Sequence, residues 1–376
     1  MELTILMPCL NEAETLEICI LKAKRFLEDN NIDGEVLVSD NGSVDNSVEI
    51  ARMRGARVIH AFEKGYGNAL RYGCENAYGK YVIMGDADDS YNFLNLMPFL
   101  EKLREGNDLV MGNRFKGGIA KGAMPWSHKY IGNPILSFIG RMFFNSRIGD
   151  FHCGLRGYNR ESIHRLELKT SGMEYASEMV VMAELNHYKI TEVPTTLDKD
   201  GRSRAPHLRS FRDGWRHLKF LFMYSPNWLF LYPGVILLLI GLIGSVVLFT
   251  GQLNLFNVVF DIHTFLYFAF FVIAGFNVID IFLLVKLYAF NHNFLPQKTM
   301  NWNKGIKEDL FIFCGAIMTV IGFALSIVAL NVWKNTDYSS LMPETMMRIV
   351  IPSVVFMLIG IQSLFSGFFM GILKVK

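Results

Sequence analysis

At 376 residues, 51% of them hydrophobic and 13% aromatic, the chain can fill a core and more besides. Its net charge of +2 gives no sign of a nucleic-acid partner, and its five cysteines (Cys9, Cys19, Cys74, Cys153, Cys314) include no C-x-x-C pair or other zinc spacing. Scattered thiols fit a reducing compartment better than a disulfide scaffold. The N-terminus lacks a basic n-region and runs straight into a strand pattern, so no cleavable signal peptide is expected.

Leu3–Met7 reads as a buried strand, followed by Pro8-Cys9-Leu10-Asn11-Glu12. Asn11 with Glu14 has the form of a capping box opening a helix over 12–29. Strand 35–39 runs into Asp40-Asn41-Gly42-Ser43-Val44-Asp45, a helix reaches Arg54, and strand 57–60 leads to Lys64-Gly65-Tyr66-Gly67-Asn68-Ala69. Tyr81–Gly85 is a fourth strand, 108–112 a fifth, and 190–196 the last, with Pro194 marking an edge position. Strands alternating with helices predict a mostly parallel α/β sheet, whose ligands bind beyond the carboxyl ends of the strands. Pro8–Glu12, Asp40–Asp45 and Asp86–Asp88 all fall on that edge.

The most informative stretch is Gly85-Asp86-Ala87-Asp88-Asp89-Ser90. Residues two apart on an extended strand end point the same way, so Asp86 and Asp88 can converge on one hard cation, Mg²⁺ or Mn²⁺. The alternative is an acidic turn in which Asp89 or Ser90 caps a helix over 91–104. Arg114 closes the fifth strand, where a guanidinium suits a diphosphate. The glycine-rich, basic stretch 116–125 reads as a mobile loop beside the site. In Asp150-Phe151-His152-Cys153-Gly154-Leu155-Arg156 a metal cluster is disfavoured for want of partner ligands. Glu174 and Glu178 share a helix face and either orient a substrate or face solvent.

Pro-x-x-Asn-Glu, Asp-x-Gly-Ser-x-Asp, Lys-Gly-x-Gly-x-Ala and Gly-Asp-Ala-Asp, in that order, resemble family two glycosyltransferases of the GT-A fold, and most of all the polyprenyl-phosphate sugar synthases of the dolichyl-phosphate mannose synthase type. The resemblance covers residues 1–200 or so. It implies donor contacts from Pro8, Asn11, Glu12, Asp40, Lys64 and Asp86, a metal on Asp86 and Asp88, and catalytic roles for Asp88, Arg114 and Asp150. It also implies acceptor contacts from His128 and Lys129, to which the basic patch adds Arg202, Arg204 and Arg209. The implied reaction moves a sugar, with inversion, from a UDP- or GDP-linked donor to a dolichyl or undecaprenyl phosphate. Two positions depart from the family pattern, Asn41 for a second Asp and Ser90 for a Gln.

Beyond the soluble half, Leu208, Phe211, Trp215, Leu218 and Phe222 form an apolar stripe, with Arg209, Arg212, Arg216 and Lys219 beside it, as in a helix lying in a headgroup layer. Four spans are expected near 228–249, 264–289, 310–333 and 349–373. The organisation is thus a GT-A domain (1–206), a juxtamembrane amphipathic helix (207–226) and a four-helix transmembrane domain (227–376). Lys286, Lys298, Lys304, Lys307, Lys374 and Lys376 put the second connection, the catalytic domain and the C-terminus on the cytoplasmic side. A homo-oligomer is compatible with this pattern. Asp280, inside the second span, should face other helices. Rival readings are a processive polysaccharide synthase or another lipid glucosyltransferase, whose Gln-x-x-Arg-Trp motif has no match in Arg212-Asp213-Gly214-Trp215-Arg216, and a catalytically silent membrane scaffold or lipid carrier.

Overall fold

The computed structural model describes residues 1–203, 210–292, 295 and 307–375, and divides into two compact units, Met1–Tyr224 and Ser225–Lys376. Arg204, Leu208, Arg209, Lys298, Lys304 and Lys376, all named above, lie outside the described residues. The division places the amphipathic helix inside the first unit rather than in a segment of its own.

In the first unit, β1 (Leu3–Cys9), α1 (Leu16–Asp29), β2 (Gly34–Asp40), α2 (Ser47–Met53), β3 (Arg57–His60), α3 (Tyr66–Glu75), β4 (Tyr81–Met84), α4 (Met97–Arg104) and β5 (Leu109–Asn113) alternate as expected. A single turn α5 (Arg114–Gly117), a π-helical turn at His128–Gly132, α6 (Asn133–Phe144), β6 (Arg156–Asn159), α7 (Arg160–His164), α8 (Tyr175–Leu185), β7 (Ile190–Pro194) and α9 (Ser210–Met223) complete it. The sheet order is β3-β2-β1-β4-β6-β5-β7, with β1 through β4 mutually parallel where they pair. β6 lies antiparallel between β4 and β5. Leu3, Ile5, Val36, Val38 and Ile83 fill one face of the sheet; Leu6, Leu37, Val82, Met84 and Leu109 fill the other. Both faces being covered, the strands read as continuous apolar runs. β7 is an edge strand, as Pro194 required.

Two helix starts differ from expectation. Asn11 has φ 58°, a left-handed turn residue, and α1 begins only at Leu16. Its amide oxygen accepts from Val44 N at 2.8 Å instead of capping a helix, because the neighbouring rim loop supplies donors. Likewise α4 starts at Met97, with Pro98 in its first turn, since residues 91–96 are held as turns by Tyr91 and Phe93 buried in the core.

α9 packs with His217, Phe220, Leu221 and Tyr224 toward the domain, while Arg212, Trp215, Arg216 and Lys219 are exposed together on the outer face. Trp215, expected on the apolar stripe beside the basic residues, is exposed on the same face as they are. Positions 212, 215, 216 and 219 fall at i, i+3, i+4 and i+7, which is one helix face.

The second unit consists of α10 (Tyr232–Phe249), a hairpin of β8 (Leu253–Leu255) and β9 (Val258–Phe260), α11 (Ile262–Asn291), α12 (Glu308–Lys334) and α13 (Pro343–Lys374). The helices are long and apolar enough to cross a membrane, at the four predicted places. They approach closely at glycines: a Cβ on Gly275 would lie 2.4 Å from Leu238 N, and one on Gly360 2.5 Å from Thr319 N. Asp280 is buried, with Gln362 (2.9 Å) and Ser366 of α13 donating to its carboxylate, so it faces helices as expected.

Candidate active site

Three loops at the carboxyl edge of β1, β2 and β4 lock together. Asn11 N donates to Ser43 Oγ (2.9 Å), Glu12 N to Ser47 Oγ (2.9 Å) and Ala13 N to Asp45 Oδ2 (3.1 Å). Thr15 Oγ1 donates to Ala87 O at 2.7 Å, tying the first loop to the acidic one. Asp40, buried at the end of β2, accepts from Gly42 N, Ser43 N and His60 Nδ1. Burial would raise its pKa, but these hydrogen bonds outweigh it and hold the carboxyl below its ordinary value.

Asp86 and Asp88 do converge, and they are unequal. Asp86 accepts from Tyr66 Oη at 2.9 Å and its pKa is pushed up to about 6, by burial and then by the charge of Asp88, against the pull of Tyr66 and Arg202. Asp88 accepts from Ser90 N and Oγ and from Arg202 Nη2 at 2.9 Å. Arg202 also reaches Glu12 Oε1 (3.3 Å) and Asp200 Oδ2 (2.9 Å). The segment carrying it is pinned over the rim by Gly201 N to Asp88 O and by Ser203 to both oxygens of Glu14.

These residues fit a divalent cation. Two hard carboxylates stand together, one driven toward its protonated form by burial and then by its neighbour's charge, which a cation would relieve. Among the described residues no group of three or more His, Cys, Asp or Glu could hold a metal. Mg²⁺ needs only one or two protein carboxylates and leaves positions for phosphate oxygens.

Other expected residues are placed differently. Arg114 is buried, and its fork closes on the fully buried Asp150 through Nε (2.7 Å) and Nη2 (2.8 Å). The two charges cancel inside the domain, so Arg114 is not the open diphosphate clamp its strand-end position suggested. Glu178 is likewise structural: it accepts from Lys169 N, Thr170 N and Oγ1, and Tyr224 Oη. Arg202, expected on the acceptor, sits on the carboxylate rim instead, because residues 197–203 fold back across it. His128 and Lys129 lie half-buried in the π turn and, among the described residues, make no hydrogen bond to that rim. Pro8 lies one residue before the end of β1, beside Ser39, and Lys64 is exposed at the turn before α3.

Sequence reasoning missed Tyr66 and Tyr91. Tyr66 stands between the glycines of its motif. Gly65 has φ 137°, and a Cβ there would lie 2.3 Å from Ser171 O, so only glycine lets the turn press against 170–172 and aim the phenol at Asp86. Tyr91 Oη accepts from Gly154 N at 2.9 Å. Asn41, in place of an Asp, bridges Gly65 N (2.7 Å) and Glu63 O (2.8 Å), work a carboxylate could do only in part.

Residues 4–167 match the model of glycosyl transferase family 2, and residues 283–374 match that of the glycosyltransferase family 2 C-terminal transmembrane region. The chain is 33% identical over 371 residues, 98% of its length and 88% of the relative's, to the low-salt glycan biosynthesis hexosyltransferase Agl6 of Haloferax volcanii. It is 31% identical over 195 residues to a dolichyl-phosphate hexose transferase of the same organism, covering 51% of this chain and 81% of that one. A crystal structure of a mycobacterial protein shares the fold at TM-score 0.50 and 19% identity, over 60% of this chain and 74% of that one.

Proposed function

This chain belongs to glycosyltransferase family 2, and from that premise we propose that it transfers a hexose from a nucleoside-diphosphate sugar to a polyprenyl phosphate at a membrane surface. The observation that carries the reading is the pairing of Asp88 and Glu12 with Arg202 beside Asp86, which feels the charge of Asp88, at the carboxyl edge of a sheet, in a chain that also has four membrane-length helices. The likeness to a dolichyl-phosphate hexose transferase supports the same acceptor class.

In this reading Asp86 and Asp88 would hold a divalent cation, which when bound supplies counter-charge to the departing diphosphate. Arg202 adds a fixed guanidinium at the same place, where negative charge grows as the glycosidic C–O bond breaks. A phosphate oxygen of the acceptor forms the new bond to the anomeric carbon with inversion, and the nucleoside diphosphate leaves with the electron pair. A phosphate monoester already carries about −1.5 to −2 charges at neutral pH, so positioning suffices where an alcohol would need a base. Pro8, Asn11, Glu12, Asp40 and Lys64 are assigned to the donor, and Arg114 with Asp150 to bracing the strand end from within. His128 and Lys129 are assigned to the acceptor, together with the basic face of α9.

Support for a lipid acceptor also comes from surface chemistry. Ile131, Ile135, Phe138 and Met142 recur at helical spacing along the π turn and α6, all exposed, with Trp126 and Tyr130 beside them. With Trp215 they give the first unit apolar surface fit for a headgroup layer, flanked by Arg212, Arg216 and Lys219. The lysine distribution supports a cytoplasmic catalytic unit and C-terminus.

The test is transfer from a panel of radiolabelled UDP- and GDP-sugars to polyprenyl phosphate and to the matching alcohol, with the purified protein in lipid nanodiscs. Labelled lipid should form from the phosphate alone. Transfer to the alcohol, or growth of a polysaccharide chain, would overturn the reading.

A further inference from the structure

Between α9 and the carboxylate rim lies a polar joint with no place in the reading above. Ser177 of α8 is buried, and its Oγ stands 2.9 Å from His217 Nδ1 on α9 and 3.4 Å from His152 Nδ1. The two imidazoles meet edge to face, centroids 4.7 Å apart. Burial, then His217, Arg114 and Arg156, hold the His152 imidazole well below its ordinary value, so it is neutral. A hydroxyl has one proton, so it can donate to only one ring and must accept from the other. Either His152 Nδ1–H donates to Ser177 Oγ and Ser177 O–H to His217 Nδ1, or the chain runs the other way. Such a chain is directional and fixes both rings.

His152 belongs to a loop held from several sides. Phe151 N donates to Ser137 Oγ of α6 at 3.3 Å, Gly154 N to Tyr91 Oη, and Arg156 ties Cys153 O to Ala176 O of α8. At its far end the loop backs directly onto the acidic pair: a Cβ on Gly154 would lie 2.6 Å from Asp86 Oδ2. Loop 150–154 therefore connects His152 to the seat of Asp86 through a close-packed contact at Gly154.

We propose that His217 is a positioning residue, which through Ser177 and His152 holds loop 150–154 against Asp86, so that the seating of α9 sets the geometry of the Asp86/Asp88 pair. The inference rests on the assignment of that pair to a divalent cation but not on the identity of the acceptor. Residues that orient metal ligands from behind change affinity or activity by about 10–100-fold when removed.

The full-length protein in nanodiscs is titrated with Mn²⁺ in the presence of UDP or GDP, free Mn²⁺ being read by electron paramagnetic resonance, alongside transfer kinetics and melting temperature. His217→Ala should weaken Mn²⁺ binding about tenfold with an unchanged melting temperature. His217→Asn, whose amide can meet Ser177 Oγ where Nδ1 does, should restore it. Ser177→Ala should match His217→Ala, and the double variant should be no worse than either alone. Equal Mn²⁺ affinity in wild type and His217→Ala, or His217→Asn no better than His217→Ala, overturns the assignment. The Mn²⁺ arm needs no lipid acceptor, so it stands or falls separately from the polyprenyl-phosphate reading.

Discussion

The two units bury carboxylates in opposite ways. At the sheet edge Asp86 and Asp88 crowd each other, and the cationic partner within reach, Arg202, is shared with Glu12 and Asp200. In the membrane unit Asp280 is buried more deeply, yet it is met by the neutral donors Gln362 and Ser366. One arrangement concentrates unbalanced charge where a substrate can balance it; the other meets a lone carboxyl with hydrogen bonds from within the fold. The first suits chemistry and the second suits packing.

The contrast can be broken at its strongest point. Asp88→Ala should lower transfer by about 10³-fold with an unchanged melting temperature, since the diphosphate loses its counter-charge but no core group is removed. Near-normal turnover of this variant in the presence of chelator would end the metal assignment.

On the packing side, Gly360→Leu should destabilise the second unit by about 2 kcal/mol, because its Cβ would meet Thr319 N at 2.5 Å and backbone cannot yield as a side chain does. Thermal unfolding in detergent, followed by circular dichroism, reports this directly. An unchanged melting temperature would show that α12 and α13 tolerate separation.

pH sharpens the comparison further. Asp86 titrates near 6 against an ordinary 3.8, so in metal-free protein it takes up a proton as pH falls through that range. Mn²⁺ must then compete, and its affinity should weaken about tenfold per unit below pH 6. Because the folded carboxyl binds its proton before the unfolded one does, the metal-free first unit should gain stability as pH drops from above 6 toward 4. Calorimetric titration at pH 5 and 7 checks the first point, and melting with chelator checks the second. The smallest effect belongs to Asp280→Asn, which keeps an acceptor for Gln362 and Ser366 and should change stability by less than about 1 kcal/mol.

Much of this was legible in the residues. Apolar runs of five to seven residues ending in polar turns gave the parallel strands, and uncharged stretches gave the spans, because both signals are carried by local periodicity. β6 was not visible: Arg156-Gly157-Tyr158-Asn159 has no alternation, and only its place between β4 and β5 makes it a strand. The role of Arg202 was hidden for a related reason. It reaches Glu12 from 190 positions away, and no local pattern announces which carboxylate a distant arginine will meet. Arg114 looked available because a strand end is usually open, and the loop that brings Asp150 to it leaves no periodic trace. The helix caps failed at Asn11 because a tertiary donor, Val44 N, outbid the local one.

The late insertion of β6 has a consequence for how the chain is made. β4 is complete by residue 84 and β5 by residue 113, but the strand that joins them is not synthesised until 156–159, and β7 follows at 190–194. A nascent chain shorter than this exposes two unpaired strand edges beside the acidic loop, with the contacts that close them lying more than 70 positions apart in β4 and β6. Sealing of the sheet's middle thus falls in the short interval before the first membrane helix, which begins near residue 227, leaves the ribosome. Slow synthesis over 160–230 should therefore favour correct assembly, and truncation anywhere before residue 159 should yield an aggregating fragment rather than a smaller domain.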